Sequence, residues 1–81
     1  MQVQKRRSSA RTVRIGKRKT TVSVEDVFWN ALREIAKRRR RPLHRILQDI
    51  AMTADEGLGL SSAIRVFIFQ HFYDVAHGQQ I

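Results

Sequence analysis

The chain has 81 residues, 42% of them hydrophobic, no cysteine, and a formal net charge of +9. That is enough for one domain at the size where a core becomes marginal, and it excludes disulfide staples, thiolate metal sites and thiol nucleophiles. The charge is uneven: residues 1–24 carry eight bases and no acid, residues 25–41 six bases against three acids, and residues 42–81 two bases against four acids.

A basic half joined to a mildly acidic, apolar half points to one surface for a polyanion and another for association. The plainer reading is a basic tail that serves solubility. Residues 1–11 hold Lys5, Arg6, Arg7 and Arg11, one isolated valine and no periodicity, which predicts a basic flexible arm. The arm lacks the apolar stretch of a secretory signal. It shares its basic, serine-containing character with transit peptides, but structured sequence begins directly after it. No apolar run approaches the roughly 20 residues of a membrane-spanning helix, so the expectation is a soluble cytoplasmic protein without a membrane partner.

Residues 12–15 read as a short extended piece ended by Gly16. Residues 19–24, KTTVSV, alternate at period two with β-branched side chains, the signature of a strand. Val22 and Val24 occupy one face; Lys19, Thr21 and Ser23 occupy the other.

Three helices follow. Glu25 and Asp26 suit the positive end of a helix dipole, and the spacing predicts a helix over about 25–39. Its apolar face is Val27, Phe28, Ala31, Leu32, Ile35 and Ala36, with Trp29 mostly on the other faces. Pro42 stops this helix and opens a second over about 42–53, with Leu43, Ile46, Leu47, Ile50 and Ala51 inward. Residues 53–59 form a connection, and Ser61 or Ser62 caps a third helix over about 61–76. That helix is apolar almost all round, interrupted only by Arg65, Gln70, His71 and Asp74, and therefore calls for a partner to bury it. A strand at 64–69 is the rival assignment. Residues 77–81 remain as a tail.

No catalytic constellation stands out, and no metal ligand set or cofactor is expected. His71 and His77 are six apart, on poorly matched helix faces, and Asp74 between them makes only a weak cluster. Gly57-Leu58-Gly59 lacks the rest of a phosphate-loop signature. No aromatic platform stands on the basic half, which argues against RNA.

One basic-faced strand followed by helices resembles a ribbon-helix-helix repressor. The segment RKTTVSVEDVFWNALREIA at residues 18–36 is similar to the strand and first helix of the MetJ/Arc-type superfamily. The closer likeness is to an extended bacterial subfamily with a further C-terminal helix, through the strand at 20–24, Glu25, the Phe28-Trp29 pair and LSSAIR at 60–65. The likeness spans about residues 12–72. It implies a mainly α domain over 12–76 with one short strand per chain, built as an intertwined homodimer, possibly a tetramer, around an intermolecular antiparallel ribbon.

Such a ribbon enters the DNA major groove, and the positions matching its base-facing row are Lys19, Thr21 and Ser23. They are otherwise simply solvent-facing. The implied dimer core holds Val22, Val24, Phe28, Leu32, Ile46, Leu47, Ile50, Ile64, Phe67 and Ile68. The family's phosphate anchor at the start of the second helix matches Arg40, Arg41, Leu43 and His44. There this chain lacks the usual turn glycine and Ser or Thr cap, and Pro42 removes one N–H. Residues 38–41 also read as a solvated helix end whose cations suit the dipole. Arg11, Arg14, Lys17 and Arg18 are further phosphate candidates. The implied function is sequence-specific transcriptional repression at the nucleoid. Alternatives are a nucleoid-associated architectural protein, or an antitoxin-type module whose C-terminal helix binds another protein.

Overall fold

A computed structural model describes residues 8–54, 57 and 59–78. The expected residues 1–7 of the arm and 79–81 of the tail lie outside them. Two antiparallel strands, β1 (Ser8–Ile15) and β2 (Arg18–Glu25), are followed by helices α1 (Asp26–Arg39), α2 (Leu43–Thr53) and α3 (Leu60–Ala76).

The chain thus has two strands, where one per chain was expected. The short extended piece at 12–15 is the end of an eight-residue strand that also takes in residues 8–11 of the expected arm. Ile15 pairs with Arg18, which leaves a two-residue turn of Gly16 and Lys17. Gly16 has φ 61°, a left-handed conformation that glycine adopts freely at the first position of a tight hairpin turn. β2 therefore pairs along one of its two edges with β1 of its own chain.

Alternation carries the hairpin's apolar residues to one face. Val13, Val22 and Val24 join Trp29, Leu32, Ile35, Ile46, Leu47, Ile50, Ala63, Ile64 and Ile68 in a single core. All three helices lie on this side of the sheet. Of the residues expected to meet in a dimer core, Val22, Val24, Leu32, Ile46, Leu47, Ile50, Ile64 and Ile68 are buried by this chain alone, while Phe28 and Phe67 pack at its margin.

The buried stripe of α1 is turned from the one the periodicity predicts. Trp29 is 1% exposed and Val27 55%, the reverse of the expectation. The cause is β1, whose first residues cover the side on which Trp29 stands: the indole Nε1 donates to Ser9 O at 3.0 Å, and Ser9 Oγ donates to Asp26. Arg11 completes the site with its guanidinium 5.2 Å from the indole centroid. Truncating a buried Trp to Ala costs about 3–5 kcal/mol, a large share of the roughly 5–15 kcal/mol that holds a domain folded.

α1 ends at Arg40, a non-glycine residue with φ 54°. Its amide and that of Arg41 close the helix by donating to Lys37 O at 3.2 Å and Ala36 O at 3.0 Å. Pro42 then stands at the N-cap of α2, just outside the helix, and accepts from the amide of Arg45 at 3.0 Å.

α3 is helical throughout, including residues 64–69. Neither Ser61 nor Ser62 caps it; Gly59 holds the N-cap position, and Ser61 Oγ instead donates to Ser23 O of β2 at 3.0 Å. The helix buries Ala63, Ile64 and Ile68 in its own chain. Val66, Phe69, Phe72, Tyr73 and Val75 remain exposed.

A left-handed residue with a Cβ costs about 1–2 kcal/mol. Arg40→Gly is therefore expected to raise stability by about 1 kcal/mol after allowing for glycine's greater unfolded-state entropy, read as a higher midpoint in urea unfolding with an unchanged slope.

Candidate nucleic-acid interface

The outer face of the hairpin, opposite the core, is polar and basic. On β2 it carries Lys19, Thr21 and Ser23, all exposed, while Val22 and Val24 between them are buried. The pleat alone produces this separation, because successive side chains point to opposite sides. The three residues expected to face DNA bases therefore share one open surface.

The register adds a second row. Ala10 stands opposite Ser23, Thr12 opposite Thr21 and Arg14 opposite Lys19, and all three are exposed. Sequence reading placed Arg14 among the phosphate candidates and passed over Thr12 and Ala10. A signal for them exists: Val13 and Ile15 alternate with polar neighbours and lead into Gly16-Lys17, the pattern of a two-residue hairpin.

The remaining cations fall into different settings. Lys17 is exposed in the turn beside the outer face. Arg18 and Arg11 lie on the core-side register of the strands, where Arg18 borders a hollow with Ile15, Thr20, Ala51, Ala54 and Leu60. Arg40 and Arg41 belong to the α1–α2 turn, Arg41 paired with Asp49 at 2.9 Å. Next to them His44 is exposed and Leu43 half-buried against the core. This turn joins helices that pack on the opposite side of the sheet from Lys19, Thr21 and Ser23. The structure thus brings Arg14, Lys17 and Lys19 to the outer face and leaves Arg40, Arg41, Leu43 and His44 as a separate surface.

The end of the hairpin away from the turn is braced by α3. Arg65 Nη2 and Nε approach Glu25 Oε1 at 2.8 and 3.0 Å, and the guanidinium lies 5.6 Å from the Phe28 ring centroid. With Ser61 on the Ser23 carbonyl, the LSSAIR segment holds β2 at two points.

On the helical side, Arg39 Nη2 meets His71 Nδ1 at 3.2 Å and also covers the Phe67 ring. A guanidinium only donates, so His71 Nδ1 accepts and the ring is neutral with its proton on Nε2. That Nε2 is buried without a hydrogen-bond partner among the described residues. Burial lowers the pKa of His71, and the charges of Arg39 and Arg38 lower it further against the opposing pull of Asp74. Among the described residues, no group of three or more His, Cys, Asp or Glu is placed to hold a metal ion, and no helix is long and apolar enough to cross a membrane.

A family model described as the ribbon-helix-helix domain matches residues 8–72, from the first residue of β1 to within α3. No curated protein and no solved structure gave a significant match.

Because the folded state favours neutral His71, the unfolded chain takes up this proton first as pH falls below 6.5, the ordinary value of the ring. The contribution is full above that pH and is lost below it. Thermal melts at about pH 8 and about pH 5.5 should show a smaller acid-side loss for His71→Asn, which keeps an acceptor for Arg39, than for the wild type.

Proposed function

The chain belongs to the ribbon-helix-helix domain family, and on that footing we propose that it is a sequence-specific double-stranded DNA-binding protein, a transcriptional repressor that inserts the outer face of its hairpin into the major groove. The observation that carries the reading is the side-by-side exposure of Lys19, Thr21 and Ser23 above a buried Val22 and Val24. Lysine donates to guanine O6 or N7, and the two hydroxyls donate or accept at base edges.

Affinity comes mainly from the cations around this row. Arg14 and Lys17 flank it and are suited to phosphates along the groove walls. The exposed α1–α2 turn, with Arg40, Arg41 and the first amides of α2 at Leu43 and His44, supplies a second phosphate contact where the complex reaches it. The fold is one of DNA binding rather than catalysis, and such a protein acts in the cytoplasm, at the nucleoid.

The acting unit is a homodimer. Its support is the exposed apolar side of α3, where Val66, Phe69, Phe72 and Tyr73 form a larger apolar surface than scattered single residues would. The same surface favours a second reading, an antitoxin-type module whose α3 covers a different protein. Sedimentation of the pure protein separates the two: a dimer at micromolar concentration supports self-association, and a monomer that gains mass only with a co-purified polypeptide supports the other.

DNA recognition is tested by selecting duplexes from a random library. Wild type should enrich a defined site, and Lys19→Ala or Thr21→Ala should relax base preference at that site by about fivefold or more. Arg14→Ala should at least lower affinity and flatten the salt dependence, whose slope is about −0.9 per phosphate contacted. Equal affinity of wild type for selected and random duplexes would sink the sequence-specific reading and favour an architectural one.

A further inference from the structure

We propose that a second copy of this chain docks on the outer side of α3, parallel to it, so that Phe69 of each copy fills a hollow of the other. The proposal rests on the self-association reading above and deepens it by naming the surface, its occupant and the direction of pairing.

α3 has two apolar sides. One, with Ala63, Ile64 and Ile68, faces its own chain. The other carries Val66, Phe69 and Tyr73, which are 58%, 67% and 45% exposed. Together with the exposed Ser62 and Ala76, these positions step by four, three, four and three residues, the repeat of a seam between two paired helices. None of them is charged, although the chain carries +9, so like side chains meeting across the seam bring no repulsion.

The rings of the seam are ordered before any partner arrives. The centroids of Phe69 and Tyr73 are 5.7 Å apart, and Tyr73 stacks on His77 at 4.0 Å. An aromatic row held in this way loses little freedom on binding.

Beside the seam lies a hollow of about 270 Å³, walled by Ile50, Thr53 and Ala54 on one side and by Val66 and Gln70 of α3 on the other. Its polar groups are already engaged. Thr53 Oγ1 donates to Asp49 O at 2.9 Å, and Gln70 Nε2 donates to Asp74 Oδ1 at 2.7 Å. The hollow therefore suits an apolar occupant, and it exceeds the roughly 150 Å³ that admits a benzene ring.

Knob and hollow fix the arrangement. At 3.6 residues per turn, Phe69 stands on one shoulder of the line through Val66 and Tyr73. Gln70, at the hollow, stands on the other, at nearly the same level along the axis. A two-fold axis parallel to α3 turns the knob shoulder of each copy toward the hollow shoulder of its partner. An antiparallel pairing would set knob against knob. One face thus holds both halves of a self-complementary contact, which is what a two-fold interface requires. Seam and hollow offer on the order of 500 Å² per copy, or about 1,000 Å² in total, where specific interfaces begin. The contact is separate from the open edge of β2, because α3 meets β2 and Glu25 through Ser61 and Arg65, nearer its start.

The test is sedimentation of the full chain carrying substitutions at exposed seam positions. Phe69→Asp should halve the mass of the wild-type assembly at the same micromolar concentration, raising its dissociation constant about thirtyfold or more, with helicity by circular dichroism unchanged. A second arm does not depend on that variant folding. The chain has no native cysteine, and a parallel pairing sets residue 66 beside its own counterpart. Val66→Cys should therefore form a disulfide-linked dimer under mild oxidation, whereas Met52→Cys, at a site 81% exposed on α2, should not. If Phe69→Asp folds and keeps the wild-type mass, or if Val66→Cys links no faster than Met52→Cys, the proposal is overturned. A wild type that is still heavier than one chain then keeps the self-association reading, through another surface. A wild type that stays monomeric at every concentration sinks both.

Discussion

A two-stranded hairpin is at best marginal in water by itself, so this fold depends on giving one of its faces a dry seat. The seat is built around Trp29. Its indole lies under the strands, its N–H satisfies the carbonyl of Ser9, and the guanidinium of Arg11 closes over it. With Val13, Val22 and Val24 pressed onto the same core, the other face of the hairpin is left free to carry mainly polar and basic side chains. Rigidity on one side is what permits the other to be chemically uncommitted.

The molecule separates cations that hold the fold from cations that stay open. Arg65 is engaged by Glu25, Arg41 by Asp49, and Arg39 by His71 and Phe67. Exposed pairs such as Arg41–Asp49 add little stability. The Arg65–Glu25 contact is only part-exposed and has two donors on one oxygen, so it fixes geometry as well. It ties the far end of β2 to α3, while Trp29 ties the start of β1 to α1. Among the described residues, the turn end, where Arg14, Lys17 and Lys19 collect, carries no such strap from a side chain.

Much of this plan was legible in sequence. The alternation of β2 put Lys19, Thr21 and Ser23 opposite Val22 and Val24, and the spacing of Leu32, Ile35, Ile46 and Ile50 located two helices and their inner faces. β1 was mostly hidden because Arg11 and Arg14 interrupt it and because its stability comes from pairing at long range, which local periodicity does not report. Missing β1 also turned α1 the wrong way, since the reason for burying Trp29 and exposing Val27 lies in the strand above. α3 looked too apolar for a single chain, and only its Ala63, Ile64 and Ile68 side is buried by the rest of this chain. Arg40 was recognised as standing where a glycine is usual, but its left-handed backbone is a property of the turn as a whole.

On the proposed DNA-reading role, the length of the hairpin sets how much it can say. From Lys19 to Ser23 the strand rises about 14 Å at roughly 3.4 Å per residue, close to four base pairs at the same rise along DNA. Four fully read base pairs recur by chance about once in every 256, far too often to address a single place on a chromosome. Selectivity on a genomic scale must then come from counting, with two or more copies set at a fixed spacing, and the apolar flank of α3 would act as the ruler.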